Sequence, residues 1–528
     1  MIQIRGLRLA PEDSLGLLRQ RAAKKLRISA ERIESLTLIK RSLDARRKDD
    51  IHYVCTVAAA VRGNEDALLA RNRDKDISKY VEKEYIIPHV SACAARPLVV
   101  GFGPAGMFAA LVLARAGARP IVIERGQDAL RRKAAVEAFR AGGRLNPESN
   151  VQFGEGGAGT FSDGKLNTGT HDPRIGWMLR EFARHGAPES VVYDAKPHIG
   201  TDILIDVVQN IRREILSLGG EVLFESRLES LVIEDGAVAG AVVQGPDGLR
   251  TIGCEALILA IGHSARDTFE KLHAQGVPME PKPFSMGVRI EHRQRDIDSS
   301  QYGRDREALP AADYSLNVHL PDGSSAYTFC MCPGGEVFAA ASEEGGVVTN
   351  GMSYSRRDGE NANAALLVTL HTEDFPGEGA LAGMYWQREI ERAAYALGGG
   401  NYCAPAQLVG DFLAGKASTG PKTVTPTYRP GVVWCDLHDI LPARISTVLE
   451  NAIPELGKKL RGFDTPDAVL TGPETRSSSP VRILRGSGLS SDVRGLYPCG
   501  EGAGYAGGIS SAAVDGMRCA EAVLRSML

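Results

Sequence analysis

The sequence lacks the features that mark a disulfide-rich, exported or membrane-spanning protein. Its nine cysteines contain no C-x-x-C pair, and this scattered distribution argues against a disulfide scaffold. The chain has no run of about twenty apolar residues and no recognisable signal peptide, so we expect neither a membrane partner nor export. A net charge of −3 over 528 residues favours no class of charged partner. These absences predict a cytoplasmic protein.

Internal repeats and low-complexity tracts are also missing, and the length suggests about three domains. The first part of the chain reads as strand, helix, two strands, helix and strand. Within it, Glu65–Tyr80 is predicted to be the second helix and Tyr85–Val90 the last strand. This βαββαβ order predicts a small N-terminal ferredoxin-like α+β domain over residues 1–92.

The N-terminal region has a basic bias that leaves a second function open. Its first 60 residues hold 13 Lys or Arg against 7 Asp or Glu, and the basic residues concentrate in the loop 40–48. Such a loop could bind RNA, which would make the protein an RNA-associated one. Solvated charge in a hairpin is the commoner meaning of such a run, so nucleic acid is a weaker partner prediction than a small molecule.

A glycine motif lies between two apolar segments near residue 100. Leu98–Val100 has the composition of a strand buried on both faces, and a helix is predicted from about Pro104 to Ala116. In the G-x-G-x-x-G turn between them, the first glycine permits the turn, the second admits a pyrophosphate and the third lets helix and strand pack. The helix start would direct N–H groups at that pyrophosphate. The predicted cofactor contacts here are Gly101, Gly103, Pro104, Ala105 and Gly106.

An acidic residue follows the next strand at the position expected for a ribose ligand. Pro120–Ile123 reads as that strand, and Glu124 comes 18 residues after Gly106. A carboxylate here can accept both hydroxyls of an adenosine ribose and would repel a 2′-phosphate. We therefore expect a dinucleotide with an unphosphorylated ribose, with Glu124 and the adjacent Arg125 in its site.

Two later segments favour FAD over NAD. The strand Leu257–Gly262 follows a predicted β-meander and resembles the second motif of flavoproteins built like glutathione reductase, and Gly495–Ile509 resembles their third. A helix beginning near Gly508 would direct donors at the pyrimidine end of the flavin, where reduction builds negative charge. The sequence has no second strand–G-x-G-x-x-G–helix unit, so no separate NAD(P) domain is expected. The predicted contacts are Gly262, Gly500, Glu501, Gly507, Gly508 and Ile509.

Longer segments resemble a bacterial family of large FAD-dependent dehydrogenases whose substrates are unassigned. The segments that carry the resemblance are residues 149–165, 198–202, 262–268 and 328–335. More distantly, the chain is similar to fumarate-reductase and geranylgeranyl-reductase flavoproteins, which lack an NAD domain and insert a cap. The chain departs from this pattern at Glu501, where many relatives have Asp. The resemblance therefore supports a ribityl contact at Glu501 less strongly than it supports the other contacts.

The resemblance implies an α/β fold with non-covalently bound FAD. Its FAD-binding domain would be Rossmann-like, with three layers (ββα), and discontinuous over residues 96–275 and 491–528. An inserted α+β substrate or cap domain would occupy residues 276–490. The sequence of residues 281–480 itself suggests short strands and long loops.

The glycine-dense segment 154–165 is predicted to pack near the flavin ring, because such a loop lets backbone pass close to a planar ligand. Gly157 and Ser162 are predicted cofactor contacts. Lys165 could stabilise the anionic reduced flavin or a substrate carboxylate, although a lysine at a loop exit could equally face water.

Two histidines and an arginine are weaker candidates. His198 could act as a general acid or base because its ordinary pKa is near neutrality, or it could be structural. His263 and Arg266 follow the second flavin-like motif. Arg266 could meet the pyrophosphate, or it could form an ion pair near Asp267.

Cys330 and Cys332 form a C-x-C pair on a predicted strand, where residues i and i+2 share a face. They could form a redox-active dithiol, which would make the protein a thiol–disulfide flavoenzyme, or they could be small buried hydrophobes. Arg476 lies in a polar segment that returns to the FAD domain. It could bind an anionic substrate such as a carboxylate, or form an interdomain ion pair.

Together these features predict a FAD-dependent oxidoreductase that moves a hydride between flavin N5 and a small, possibly anionic substrate. The candidate catalytic residues are Lys165, His198, Cys330 and Arg476. The sequence specifies neither the substrate nor the external electron donor or acceptor. A thiol–disulfide flavoenzyme, an RNA-associated flavoprotein and a flavin-binding protein without turnover are the alternatives.

Overall fold

The computed structural model describes residues 1–82, 84–90, 95–169, 172–303 and 308–527. The N-terminal unit is an antiparallel sheet in the order β2-β3-β1-β4, and apolar residues of α1 such as Leu18 and Ala22 pack on it. The bounds of its elements are β1 Ile2–Leu9, α1 Leu17–Leu26, β2 Ile33–Asp44, β3 His52–Val61, α2 Glu65–Arg71 and β4 Ile77–Lys79, with a 3-10 turn at Ala30–Arg32.

The end of this unit differs from the sequence prediction. Helix α2 ends at Arg71, and strand β4 follows at once and pairs with Ile2–Ile4 of β1. Residues 85–90 contain no strand; instead the Tyr85 ring packs against Trp177, with ring centroids 5.3 Å apart. Tyr85, Ile87 and Val90 pack on the apolar cluster that includes the helices α3 (Pro104–Arg115), α5 (Arg174–Arg184) and α6 (Thr201–Ser217), and a sheet is not needed for that. The predicted boundary at residue 92 lies outside the described residues.

The second part of the chain forms a unit around a parallel sheet, called here the parallel-sheet unit. The last two elements of the chain, β23 Leu496–Pro498 and α12 Ile509–Met527, complete it. Its other bounds are β5 Leu98–Val100, α3 Pro104–Arg115, β6 Ile121–Ile123, α4 Ala129–Arg140, α5 Arg174–Arg184, α6 Thr201–Ser217, β7 Glu221–Leu223, β8 Arg227–Glu234, β9 Ala237–Gly245, β10 Gly248–Gly253, β11 Leu257–Leu259 and α7 Arg266–Ala274. Short 3-10 turns lie at Gly157–Phe161 and Glu189–Val192.

The mixed-sheet unit follows. Its bounds are β12 Met279–Pro281, β13 Phe284–Arg293, α8 Gln294–Tyr302, β14 Asn317–His319, β15 Ser325–Cys332, β16 Glu336–Ala339, β17 Thr349–Met352, β18 Asn361–Leu370, α9 Ala382–Leu397, β19 Ala404–Leu408, α10 Val409–Leu413, β20 Val432–Trp434, α11 Ala443–Lys459, β21 Val469–Glu474 and β22 Val481–Ile483. The 3-10 turns Thr372–Asp374 and Leu437–Asp439 also belong to it. The chain ends with β23 Leu496–Pro498 and α12 Ile509–Met527.

Three layers build the parallel-sheet unit. Its central parallel sheet has the order β23-β11-β5-β6-β7, so the C-terminal strand pairs beside β11. Because side chains alternate along a strand, Leu98 and Val100 face the β8–β10 meander while Val99 faces the helices. Segments on both sides of the mixed-sheet unit therefore form one sheet. The positions of the domain boundaries stay predictions.

The mixed-sheet unit is more regular than its sequence suggested. Its main sheet has the order β14-β15-β18-β13-β21-β19-β20, and β13 and β18 are ten residues each, fully paired over their length. Most other strands of this unit are short, as expected; β13 and β18 are longer than predicted because both of their faces are covered, which replaces the alternating pattern by a nearly continuous apolar one. Within the described residues, no helix has the length and hydropathy needed to cross a bilayer.

Candidate functional site

A cavity of about 620 Å³ lies where the carboxyl ends of the parallel strands face the mixed sheet. This edge of a parallel sheet is where α/β proteins usually bind their ligands. Most of the sequence-predicted site residues line it: Gly101, Gly103, Pro104, Ala105, Glu124, Arg125, Gly157, Ser162, Lys165, Gly262, Cys330, Arg476, Glu501, Gly507, Gly508 and Ile509. Gly106, Gly500 and His198 are outside this lining.

The glycine motif folds as its sequence predicted, and each glycine has its own reason. Gly101 has φ +97°, and a Cβ there would collide with the carbonyl oxygen of Ala260. A Cβ on Gly106 would collide with the carbonyl oxygen of Gly101, so this glycine lets α3 pack on β5 and lies below the cavity wall. Gly103 and Gly157 face each other, and a Cβ on Gly157 would be 2.8 Å from the Gly103 Cα. The cavity wall is therefore bare backbone, as a pyrophosphate requires.

Glu124 is fixed at the end of β6 by backbone donors. Its Oε2 accepts a hydrogen bond from Phe102 N at 2.8 Å, and its Oε1 accepts from Gly126 N and Gly154 N, each at 2.9 Å. The side chain is 5% exposed and lines the cavity. A carboxylate can accept about four hydrogen bonds, so capacity remains for ribose hydroxyls.

Arg125 is held at the cavity wall by carboxylates and an aromatic ring. Its guanidinium donates to Glu148 Oε2 at 2.9 Å and to Asp267 Oδ1 at 2.8 Å, and it lies 4.2 Å from the centre of the Phe153 ring. Glu148 and Asp267 therefore neutralise its charge. A ligand could still stack on the flat face of its guanidinium, whose position these contacts fix.

The cavity wall also contains polar atoms that lack a protein partner. Among the described residues, the buried Ser264 Oγ and His263 Nε2 have no hydrogen-bond partner. On the other side of its ring, His263 Nδ1 lies 3.5 Å from Glu501 Oε1. A Cβ on Gly262 or Gly507 would meet open space. Unsatisfied buried polar groups and bare backbone around an open volume fit a bound dinucleotide.

Lys165 belongs to a charge cluster with Asp163 and Arg357. Lys165 Nζ donates to Asp163 Oδ2 at 2.6 Å and to the carbonyl oxygen of Met331, and Arg357 Nε donates to Asp163 Oδ1 at 2.9 Å. Burial lowers the pKa of Lys165, but Asp163 together with the Cys332 and Cys330 side chains outweighs that effect, and the pKa of the lysine is raised. Likewise the two cations hold the pKa of Asp163 below its usual range despite its burial. Asp163 thus fixes the positions of both cations at the cavity wall.

His198 lies behind this cluster. Its backbone bridges to Lys165, and its Nε2 lies 3.2 Å from the carbonyl oxygen of Ser355. Burial, followed by the charge of Arg357, lowers the pKa of His198 below its ordinary value. A neutral imidazole outside the cavity lining favours the structural alternative for this residue.

Cys330 and Cys332 lie at the end of β15, where the strand is irregular. Cys330 is half-buried and lines the cavity, whereas Cys332 is buried beneath it. Arg289 Nη1 donates to the carbonyl oxygen of Cys330 at 2.9 Å, and the guanidinium is paired with Glu474. The structure therefore brings a thiol pair to the same cavity as the glycine motif.

Arg476 and Arg266 are both engaged by one buried carboxylate, that of Glu391. Arg266 donates to Glu391 Oε1 and Oε2 at 2.8 Å each, and its Nη1 also reaches Glu343 at 2.6 Å. Arg476 donates to Glu391 from Nε and Nη2 and to Ser342 from Nη1. Only the pairs of Arg266 cross between the parallel-sheet and mixed-sheet units; Arg476 and Glu391 both belong to the mixed-sheet unit, so the ion pair of Arg476 lies within one unit. Arg266 pairs across the units and not with the neighbourhood of Asp267.

Ser162 lines the cavity but its hydroxyl serves the loop. Its Oγ donates to the carbonyl oxygen of Gly159 at 2.7 Å and accepts from Gly164 N at 3.0 Å. Sequence reasoning gave no role to Arg357 or Ser264. Arg357 meets Asp163 across 194 positions, and no spacing in the sequence signals such a contact.

The basic loop of the N-terminal unit is neutralised within the structure. Arg46 pairs with Asp44, Arg47 with Asp49 at 3.0 Å, and Lys48 Nζ donates to the carbonyl oxygen of Ser300 at 2.7 Å. These contacts favour the solvated-hairpin meaning of the charge run and give no support to RNA binding.

Three family models match the chain. The FAD binding domain matches residues 95–144, and a model described as FAD-dependent protein, C-terminal domain-like matches residues 283–477. A domain of unknown function matches residues 1–60. An uncharacterized protein of Clostridium beijerinckii (strain ATCC 51743 / NCIMB 8052) is 51% identical over 529 residues, which cover 99% of this chain and 98% of that protein. The chain belongs to a family of FAD-dependent oxidoreductases.

FAD is therefore the cofactor of this FAD-dependent oxidoreductase, and the prediction made from the glycine segments is confirmed. The residues that fit FAD are the bare glycine wall at Gly101, Gly103 and Gly157, the fixed carboxylate of Glu124, and the unpartnered Ser264 Oγ. Which side chains contact which part of FAD stays a prediction.

Solved structures of other flavoproteins resemble the oxidoreductase at low identity. A geranylgeranyl bacteriochlorophyll reductase-like protein from Thermoplasma acidophilum is 13% identical with a TM-score of 0.36, covering 83% of this chain and 80% of that one. The E. coli quinol fumarate reductase is 12% identical with a TM-score of 0.37, covering 83% and 70% respectively. Likenesses of this size leave the reaction of the oxidoreductase undefined.

Proposed function

We propose that the oxidoreductase transfers a hydride between FAD and a small anionic substrate bound against the mixed sheet. One observation carries the proposal: a single cavity joins the glycine wall to Lys165 and Arg357, the two cations that Asp163 holds in place. When bound, FAD supplies the redox chemistry, accepting or donating a hydride at N5.

The protein's part is to hold an anion beside that group. Lys165 has three N–H donors, of which Asp163 and Met331 accept two, so one remains for a ligand. Arg289 adds no net charge at this wall because Glu474 is its partner. Lys165 is therefore the cation that this wall offers to an anion. A carboxylate or phosphate group is the chemistry that such a cluster recognises.

Proton positions limit the acid–base chemistry that these residues could supply. Lys165 stays protonated at neutral pH because Asp163 raises its pKa, so it would serve as a hydrogen-bond donor and electrostatic partner. His198 is outside the cavity lining, and we do not assign it a proton-transfer role.

Ligand perturbation of the flavin spectrum tests this proposal. Holoprotein is titrated with a panel of small carboxylates and phosphates and with their neutral esters or amides, and the absorbance change of bound FAD gives each Kd. We expect anions to bind and their neutral analogues to bind at least about tenfold more weakly, which corresponds to about 1.4 kcal/mol.

Two lysines of the cavity wall make a matched pair for this titration. Lys165→Met should raise the Kd of every binding anion about tenfold. Lys196→Met should change it little, because that lysine is exposed and paired with Asp313 at 2.7 Å. Equal affinity for anions and neutral analogues, or equal effects of the two substitutions, would refute the proposal. If anions do bind, anaerobic bleaching of the flavin by one of them would identify that anion as a reducing substrate.

A further inference from the structure

Strand β15 contains a bulge at its cavity end. Phe329 pairs with Ala365 of β18 and Cys332 pairs with Asn363, so three steps along β15 oppose two steps along its partner. Cys330 is the extra residue of the bulge. Its φ is +42°, a backbone conformation that residues other than glycine rarely adopt. Bulges commonly redirect side chains next to functional sites, and this one presents Cys330 to the cavity.

The bulge also places the two thiols of the C-x-C pair against each other. The Cys332 S–H donates to the Cys330 carbonyl oxygen, with Sγ 3.3 Å from that oxygen, and the two side chains interact with each other. Cys332 is completely buried, whereas Cys330 is half-buried and faces the open volume. A pair with one accessible and one buried thiol is the arrangement in which the first exchanges with a partner and the second completes an internal disulfide.

Nearby cations favour the thiolate of Cys330. The hydrogen bond from Cys332 lowers the pKa of Cys330 most, and Lys165 and Arg289 lower it further against the opposing effect of burial. The same hydrogen bond and burial raise the pKa of Cys332. The thiolate is the reactive form of cysteine, so the accessible member of the pair is also the activated one.

From this geometry we infer that Cys330 and Cys332 are a redox-active dithiol that exchanges an electron pair with FAD in the shared cavity. On oxidation, starting from the Cys330 thiolate, the S–H bond of Cys332 breaks and one S–S bond forms between Cys330 and Cys332. One proton and two electrons leave the pair, and oxidised FAD takes them up to become anionic reduced FAD. The reverse transfer restores the thiolate and the thiol.

This inference rests on FAD binding in the cavity and not on the anionic substrate of the proposed function. It gives the enzyme a second two-electron store, next to the flavin. Cys330 would be the sulfur through which a thiol or disulfide could exchange electrons with the pair, because it is the accessible one.

A second cysteine pair offers an internal comparison. Cys499 and Cys519 are both buried, with Asp515 beside them and Arg485 pairing that carboxylate at 2.7 Å. Burial raises the pKa of Cys499 well above its ordinary value. Cys499 also lines the cavity, and Arg485 Nη1 lies 3.5 Å from Cys519 Sγ, but both thiols are buried, and burial disfavours a thiolate, so we expect this pair to stay reduced.

Anaerobic reductive titration of the full-length holoprotein tests the inference. Oxidised wild-type protein should consume about four electrons per FAD, two for the flavin and two for the disulfide. Cys330→Ser and Cys332→Ser should each consume about two, and the control Cys403→Ser should still consume about four. FAD content and melting temperature of each variant are measured first, so that misfolding is recognised.

A second measurement needs no variant. The oxidised wild-type protein is denatured and alkylated, and the peptide that contains Cys330 and Cys332 is weighed. We expect it unalkylated with its mass lower by two hydrogens, and alkylated twice after full reduction. Uptake of only two electrons with both thiols alkylatable in the oxidised protein would overturn the inference. So would a four-electron uptake that persists in both variants and is lost in Cys519→Ser. Neither outcome depends on whether anions bind.

Discussion

Arg476 and Glu391 form a buried, two-pronged ion pair, with Nε to Oε1 at 3.0 Å and Nη2 to Oε2 at 2.8 Å. Arg266 binds the opposite side of the same carboxylate. Because Arg266 belongs to α7 and Glu391 to α9, this shared carboxylate connects the parallel-sheet unit to the mixed-sheet unit. The burial of two guanidiniums is tolerated because both reach one carboxylate, whose pKa they hold below its usual range despite its burial.

Removal of this carboxylate charge should destabilise the fold strongly. Glu391→Gln leaves Arg266 and Arg476 to share the carboxylate of Glu343, at 2.6 Å and 3.8 Å, and breaking a buried pair of this kind costs about 3–5 kcal/mol. The control is Glu389→Gln, two residues away on the exposed side of the same helix, which should cost less than about 0.5 kcal/mol. Denaturant unfolding of both variants gives the free energies, and similar values for the two would contradict the ion-pair network.

The packing of α3 against β5 should tolerate no side chain at Gly106. Alanine favours a helix over glycine by about 1 kcal/mol, so Gly106→Ala would stabilise an unobstructed helix. Here the new Cβ would collide with the carbonyl oxygen of Gly101, and we expect a net loss of about 1–3 kcal/mol together with loss of retained FAD.

Gly420→Ala is the matched control for that substitution, because a Cβ there meets nothing within 4 Å. Thermal unfolding and the FAD content of the purified proteins are the measurements. A Gly106→Ala protein that retains FAD and melts as high as Gly420→Ala would show that the helix can shift away from the strand.

His292 should make the protein sensitive to acid. Burial lowers the pKa of this histidine from 6.5 to about 4, with Nε2 2.8 Å from the Phe463 carbonyl oxygen and Nδ1 lacking a partner among the described residues. Because the pKa of His292 is lower in the folded protein than in the unfolded chain, the residue contributes fully to the free energy of unfolding above pH 6.5. That contribution is lost as the pH falls toward 4. The full loss is about 3 kcal/mol. Burial raises the pKa of the adjacent Glu291 to about 7, which acts in the opposite direction.

Comparison of His292→Gln with wild type at each pH separates the effect of this residue from that of Glu291. Glutamine can still donate to the Phe463 carbonyl oxygen but cannot become charged. Between pH 6.5 and 4, the variant should therefore gain about 3 kcal/mol of unfolding free energy relative to wild type. His319→Gln, at an exposed histidine, should show a constant difference. A constant difference for His292→Gln as well would mean that its imidazole charges in the folded protein without cost.

Lys165 should control the reactivity of Cys330. Because Lys165 is one of the groups that lower the pKa of this thiol, Lys165→Met should move the pH midpoint of Cys330 alkylation upward. Peptide-resolved alkylation of the FAD-free protein over a pH series measures it. Cys403, whose pKa burial raises, should alkylate only at higher pH in every variant. Lys196→Met should leave the Cys330 midpoint in place, and the same midpoint in Lys165→Met and wild type would remove Lys165 from the site.

The glycine motif could be assigned from sequence because its signals are local. Gly101, Gly106 and Glu124 lie within one strand–helix–strand unit, so spacing alone reports their geometry. The Cys330 bulge, in contrast, follows from pairing with β18, and a predicted regular strand had placed both thiols on one face. The end of helix α2 was also missed, because β4 is a strand only through its pairing with β1. Residues 85–90 were predicted as a strand from their apolar composition, but they cover a helix layer.

The sequence by itself determined the cofactor and the turn that receives it, because a dinucleotide is bound by backbone whose shape depends on nearby residues. Only the tertiary structure decided which charged groups meet. It paired Arg476 with Glu391 and Asp163 with Arg357, and it brought Cys330 to the cavity that the glycine motif lines. Such contacts join positions tens to hundreds of residues apart, and their energies depend on burial and distance, which no single sequence pattern encodes.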